Sequence, residues 1–534
     1  MNLVNDPWVP VVDRELVPRR VSLKELLLSE RGTYPDFCRG ENPLLIPSLM
    51  RFLIAVVLDA VRLYGKQKWM RLSSDDEWDT FLSYVQKNGL PKAPIKEYLK
   101  KHADCFEMTG SRPFMQTPGL RQEDGQWTSN DLDMTKASGA NTGVFHDSSY
   151  DGDPDPLSLE DCAVLLIIYQ ATVVKSIANG ARTWGPTVFG PVRRGFTVLA
   201  TGSDIPETVA LNLVSGSRIS MAFPLPKGSK TDDRPCWRRT PLPKDGKIPE
   251  RPIEGLCDFL TFQVRRVLLV VEDEKVVAVR VRAGGRIPKE VVDPYCIYDS
   301  KGHPLSYKPE RDVIRDLPSI LAVRNDAGEG DKGNSLDALG EPVRVLPVLR
   351  QIADASKADL PTVTVRVFGL KSDKSQPLQF CDSSLSLPLE ALDDDNRKEL
   401  IAHAERAAES VSARLKDSLR KFVIDASLYN EKQKAPHFIV SSGVAMYWTM
   451  VVKEFERDFV VGSPTEESLK EFKRDCVEKA VGILMDVASR TSLVKPKAFV
   501  EAYIKLSKVF PKQEPHMKHQ ELISAWKKAL ISDE

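Results

Sequence analysis

The residues best equipped for chemistry are polar and basic side chains set between strands, and no complete catalytic set accompanies them. From Val363 to Phe380 the chain reads VTVRVFGLKSDKSQPLQF. Branched and aromatic residues alternate with polar ones as far as Phe368, which predicts a strand, and PLQFCD predicts a second, shorter one. Between them Lys371, Ser372, Asp373, Lys374, Ser375 and Gln376 make a polar hairpin tip, with Gly369 supplying backbone freedom. A solvated turn accounts for such a tip, and so does a projection that hydrogen-bonds to a partner. A second feature lies between Asp161 and Asp204, where no acidic residue occurs. Lys175, Arg182, Arg193 and Arg194 are interleaved there with Trp184, Phe189, Gly180, Gly185, Gly190 and Gly195. Cations suit phosphates and glycines admit a close backbone approach, although a buried strand and loop fit the same residues.

Two further basic groups stand out. GGRIPKE carries Arg286 and Lys289 in a turn after a strand, and ARLKDSLRKF carries Arg414, Arg420 and Lys421, which a solvated helix face explains equally well. Enzyme signatures are missing: there is no P-loop, no GxGxxG after a strand, no GxSxG and no HExxH. His516 and His519 have metal-ligand spacing, but no acid or cysteine completes a set. Asp151, Asp153 and Asp155 alternate as in a calcium loop, with the glycine and closing glutamate misplaced for one. The expectation is a binding protein without catalysis, metal or cofactor.

The elements that must hold these residues follow from composition. The chain has 534 residues, 42% hydrophobic and 28% charged, with a net charge of zero, so more than one globular domain is expected. A freestanding nucleic-acid binder usually carries a basic excess, because releasing counterions from phosphates drives its affinity. This chain needs local basic patches, or a partner that supplies the charge. Its eight cysteines are scattered singly, which favours reduced thiols in the cytoplasm over a zinc ribbon or disulfide framework. MNLVNDPW does not open a signal peptide, and the longest apolar run, AVLLIIYQATVV, is too short for a bilayer and contains Gln170. No membrane is expected among its partners.

Only six of the 37 prolines and three of the 30 glycines follow residue 385. The fold expected is α+β: a large mixed N-terminal domain over 1–385, with several short antiparallel sheets and helices, then an all-α C-terminal four-helix bundle over 386–534. In the first part Leu44–Leu63 and Leu159–Val174 read as helices, and FTVLATG, RRVLLVVED and KVVAVRVRAGG as strands, with a hairpin turning at Asp273 to Lys275. The stretch AVRNDAGEGDKGNSLDALGEPVR reads as a long loop. In the second part Leu400, Ala404, Ala408, Val411, Leu415, Leu419 and Phe422 recur at helical spacing on one apolar face. FIVSSGVAMYWTMVVKEFERDF is a second helix. A third is expected to be capped by Ser463, with Pro464 in its first turn and Glu466 closing a capping box. A fourth starts at Pro496, and HQELISAWKKALI adds a last segment.

Several stretches in this order resemble one family. NLVNDPWVPV is similar to the start of the large subunit of the type I-E CRISPR Cascade complex, the CasA family. RPFMQTPGL, FGPVRRGFTVLATGSDIPETVALNLV, CDFLTFQVRRVLLV and VTVRVFGL are similar to its later landmarks. The resemblance covers most of 1–385 and beyond that rests on the terminal bundle. It implies a non-enzymatic subunit of an RNA-guided complex, in which base pairing reads sequence and the protein reads a short motif beside the target. The implied partners are double-stranded target DNA, the CRISPR guide RNA, other Cascade subunits and a helicase-nuclease.

By the same resemblance, a loop that approaches the motif from the minor groove falls at Lys175, Ser176, Ala178, Asn179 and Gly180, and a second groove-entering loop at Lys289 with Arg286. A wedge that parts the strands falls at Ser372, Asp373, Lys374 and Ser375. A guide-RNA end contact falls within SGANTGVFHDSS, at Asn141, Phe145 and His146. Arg414, Arg420 and Lys421 are placed to track the displaced strand. Some relatives carry paired cysteines suited to zinc, whereas Cys162 stands alone, so no structural zinc is expected. The alternatives are a non-catalytic scaffold, a large subunit of another CRISPR effector type, or an enzyme with an unrecognised hydrolytic site.

Overall fold

A helix of largely apolar sequence, Leu45–Tyr64, runs through the core of the first part of the chain, and every residue from Leu45 to Val61 is buried. A helix apolar on all sides belongs inside a domain. Its two buried charges both have partners of opposite charge. Arg51 pairs with Asp293 at 2.9 Å and lies over the Phe259 ring, while Asp59 accepts from the Tyr98 hydroxyl at 2.8 Å and from Arg238 at 2.6 Å. Trp8, Phe106, Phe114 and Trp237 pack edge-on around Phe52, and Phe106 stacks on Phe114.

The structure is a computed structural model, and it describes residues 1–40, 42–122, 126–136, 155–173, 190–193, 195–219, 222–223, 232–298, 303–308, 313–321, 346–355, 362–373, 376–426, 428, 438–490 and 496–507. The chain divides into two compact units. One is Met1–Pro309 with Arg324–Leu385, the other Glu310–Val323 with Ser386–Glu534.

In the first unit the described strands form three small sheets. β1 (Val9–Val12) lies between β2 (Pro18–Val21) and β3 (Asp36–Phe37). β8 (Lys275–Ala283) pairs antiparallel with β4 (Gln126–Thr128), β5 (Leu157–Ser158) and β7 (Arg265–Glu272). β9 (Thr362–Asp373) lies between β6 (Thr197–Thr201) and β10 (Gln376–Pro388). The β7–β8 turn consists of Asp273 and Glu274, both with positive φ (+47° and +62°), while Lys275 already belongs to β8. Two such residues match the right-handed twist of the flanking strands. The helix expected from Leu159 ends at Thr172.

In the second unit four helices pack together: Asp395–Asp425, Phe438–Phe455, Glu466–Arg490 and Pro496–Leu506. The apolar face expected on the first of them is buried throughout, from Leu400 to Phe422. Gly443 of the second helix permits close approach, since a Cβ there would lie 2.5 Å from Leu419 Cδ1. The start of the third helix differs from expectation. Thr465, not Ser463, caps it: the Ser468 N–H donates to Thr465 Oγ1 at 3.1 Å, and the Thr465 N–H donates back to Ser468 Oγ at 2.8 Å. A serine thus takes the reciprocal place expected of Glu466, and Pro464 precedes the helix.

The short turn Val313–Asp316 joins this unit from the middle of the chain. Its Arg315 makes a bidentate pair with Glu409, at 2.7 and 2.8 Å, and stacks 3.5 Å from the Trp448 ring centre. The loop AVRNDAGEGDKGNSLDALGEPVR, the segment HQELISAWKKALI, the pair His516 and His519, and both Asp151 and Asp153 lie outside the described residues.

Candidate nucleic-acid interface

The β9–β10 hairpin is built so that its far end projects beyond the sheet that holds it. β6 pairs with β9 from Thr201↔Thr364 to Thr197↔Phe368, and there the ladder ends. Upstream of β6 lies a 3-10 turn, Pro191–Arg193. β9 continues to Asp373, and β10 begins at Gln376, so only Lys374 and Ser375 separate the strands. Lys371, Ser372 and Asp373 therefore belong to the strand rather than to the tip. β10 is also far longer than PLQFCD, because exposed Ser384 and Ser386 alternate with buried Leu385 and Leu387.

Ion pairs fix the hairpin at its base. Arg366 on β9 donates to Asp382 on β10 at 2.9 Å and to Asp36 at 2.7 Å, and Arg39 also pairs with Asp382. Halfway along, Gly369 serves close packing, not a turn: a Cβ there would lie 2.8 Å from Tyr307 Cβ and 3.0 Å from the Phe196 ring. Near the tip, Arg193 donates to Ser372 Oγ from Nη2 at 2.9 Å and from Nε at 3.3 Å. Burial lowers the pKa of the Arg193 guanidinium. It remains a cation at neutral pH because an arginine titrates so far above it.

The loop with Arg286 and Lys289 is pinned where it leaves β8. The Gly284 and Gly285 N–H groups donate to Val264 at 3.0 Å and Gln263 at 2.9 Å, and any Cβ on Gly284 would strike the Arg265 backbone at 2.5 Å. Beneath it, buried Arg266 donates to the carbonyls of Ala283 at 2.7 Å, Pro243 at 2.9 Å and Gly246 at 3.1 Å. Beyond this anchor Lys289 is exposed, and Arg286 is half-buried, 3.6 Å from Glu250. On the bundle Arg414 and Arg420 are exposed, while Lys421 pairs with Asp425 at 2.7 Å, a bond that raises the ammonium pKa. A cavity of about 580 Å³ opens in the first unit beside Arg19, Arg20, Arg39 and Lys136, over an apolar floor that includes Val164 and Ile168.

Lys175, Ser176, Ala178, Asn179, Gly180, Asn141, Phe145, His146, Lys374 and Ser375 lie outside the described residues, as does the side chain of Asp373. The sequence reading missed the Arg366–Asp382–Arg39 anchor and the link from Arg193 to Ser372. Alternation along β9 marks Arg366 as polar but reveals neither its partner across the hairpin, Asp382, nor the distant Asp36. Among the described residues, no three His, Cys, Asp or Glu side chains are grouped to hold a metal ion, and no helix is long and apolar enough to cross a membrane.

This architecture is shared with known proteins. A crystal structure of Thermobifida fusca Cse1 superposes with a TM-score of 0.75 at 20% identity, covering 95% of this chain and 98% of that one. Cse1 from Acidimicrobium ferrooxidans gives 0.71 at 20% identity, over 95% and 97%. A chain of a CRISPR RNA-guided surveillance complex gives 0.69 at 19% identity, over 96% and 99%. The fold is therefore the one that these Cse1 proteins share. CRISPR-associated protein CasA/Cse1 of Thermus thermophilus is 27% identical over 380 residues, which span 67% of this chain and 68% of that protein. The family model for CRISPR-associated protein Cse1 matches residues 2–463, and the chain belongs to that family, the Cse1/CasA large subunits of Cascade surveillance complexes.

Proposed function

We propose that this chain recognises the protospacer-adjacent motif in double-stranded DNA, wedges the duplex open beside it to start R-loop formation, and helps recruit a helicase-nuclease. It does so without catalysis of its own. The observation that carries this reading is the β9–β10 hairpin, held at its base by Arg366, Asp382 and Arg39, with only Lys374 and Ser375 in sequence between its two strands. A wedge has to be stiff where it pushes. Parting a base pair costs a few kcal/mol, and a loose loop would bend before meeting that cost. Lys374 can fill the space of a displaced base and pair with phosphate, though it can only donate hydrogen bonds.

Lys289 and Arg286, on their pinned loop, and the segment from Lys175 to Gly180 contact the groove and phosphates of the motif. Asn141, Phe145 and His146 contact the guide-RNA end, with Phe145 available to stack on a base. The cavity beside Lys136 is of a size that suits one nucleotide. Arg414 and Arg420 attract the displaced strand. Neighbouring Cascade subunits hold most of the RNA, which accounts for a large subunit of zero net charge.

The test is Lys374→Ala in the reconstituted guide-RNA complex, with initial capture of a target duplex and strand separation measured apart. The expected result is a loss of about tenfold in opening rate with capture changed less than about twofold, the scale of one lost charge-assisted contact. Equal losses in both would assign Lys374 to phosphate binding, not to wedging.

A further inference from the structure

We infer that Arg193 is the positioning residue of the wedge: its guanidinium replaces the missing third strand beside the projecting end of β9 and aims the hairpin tip. This rests on the wedging role proposed above. The antiparallel register pairs Thr197 with Phe368, and continuing it four residues outward along each strand sets Arg193 opposite Ser372. The backbone does not continue the ladder there, because Pro191–Arg193 is a 3-10 turn. Instead the Arg193 side chain reaches across and donates to Ser372 Oγ through Nη2 and Nε, at 2.9 and 3.3 Å.

A two-stranded ribbon twists more freely than a three-stranded sheet and is marginal without support. From Gly369 onward β9 has outrun β6. Phe196 and Tyr307 support the ribbon at Gly369, and Arg193 supports it at Ser372, one residue before β9 ends. Ser372 is half-buried under this contact and carries Oγ as an acceptor, so its part is to receive the brace. Insertion into the duplex falls to the residues beyond it.

Arg193 is itself held at a fixed place. The Arg193 N–H donates to the Gly190 carbonyl at 3.2 Å, and Gly190 sits so close to the preceding helix that a Cβ would lie 2.3 Å from the Ala171 carbonyl oxygen. The brace therefore connects the hairpin to the acid-free interval between Asp161 and Asp204. A guanidinium with two donors on one oxygen fixes direction as well as distance, which a lysine cannot reproduce.

The experiment compares wild type, Arg193→Ala, Arg193→Lys, Ser372→Ala and the Arg193→Ala/Ser372→Ala double variant in the reconstituted complex. Strand opening is followed by the fluorescence of a base analogue beside the motif. Each protein meets a fully paired target and the same target with mismatches already opening the first pairs. On paired DNA, Arg193→Ala, Arg193→Lys and Ser372→Ala should each slow opening by about tenfold, the equivalent of one charged hydrogen bond. The double variant should be no slower than the singles, and pre-opened DNA should restore all of them to wild-type rate. A wild-type rate for Arg193→Ala on paired DNA overturns the proposal. So does an equal loss on pre-opened DNA, which would make Arg193 a phosphate contact, and so do additive losses in the double variant. If wild type itself fails to open paired DNA in a motif-dependent way, the wedging reading fails instead.

Discussion

Gly369 illustrates how much one missing Cβ can decide. Its neighbours are the Cβ of Tyr307 and the ring of Phe196, which leave no room for a methyl group. Gly369→Ala should lower the unfolding free energy by about 1–3 kcal/mol, the usual cost of overpacking, as read from urea denaturation. A second residue-scale prediction concerns pH. Burial pushes the Asp59 carboxyl up to about 6, against the opposing pull of Arg238 and the Tyr98 hydroxyl. Its unfolded value is near 4, so the folded state holds the proton more tightly. The stability this contributes is complete below about pH 4 and is lost as pH rises through about 6. Asp59→Asn should flatten the fall in unfolding free energy across that window. An unchanged slope would mean that another group carries it.

Single residues were also the hardest feature to read in the sequence. Gly369 looks like a turn glycine because it precedes a polar run, yet it packs against the Cβ of Tyr307 and the ring of Phe196, brought from elsewhere in the chain. Ser372 looked like part of a tip, and only the register with β6 reveals Arg193 opposite it. Long-range pairs of this kind leave no local pattern.

Elements were more legible, because periodicity is local. The strands β6 to β9 and the first bundle helix lie where alternation and the helical repeat placed them, to within a few residues at most ends. Ends depend on caps, and caps offer competing candidates. In SPTEES both Ser463 and Thr465 can cap, and the helix uses Thr465 with Ser468. Thr465→Ala should therefore cost about 1 kcal/mol in the stability of the bundle, and Ser463→Ala almost nothing. Thermal melting of the two variants side by side decides between them; the opposite order would restore Ser463 as the cap. β10 runs well past PLQFCD, because alternation continues from Ser384 through Leu385 and Ser386 to Leu387.

At the scale of the whole molecule, the drop in glycine and proline after residue 385 reflects a real change from small sheets to long helices. Composition could not show that Glu310–Val323 groups with the helices. Within that grouping Arg315 meets Glu409 and Trp448, an ion pair and a stacked ring far from it in sequence. The zero net charge also has meaning only at this scale. A neutral chain can read a short motif within a complex whose RNA and partner subunits supply most of the binding, and its own share should appear as dependence on flanking bases more than as raw affinity.

The most direct test is binding of target duplexes with varied flanking bases to the guide-RNA complex assembled with and without this chain. The account predicts that discrimination among flanks, by about tenfold or more, appears only when the chain is present, while pairing to the guide persists without it. Discrimination that survives removal of the chain would contradict the motif-reading role and leave it a scaffold.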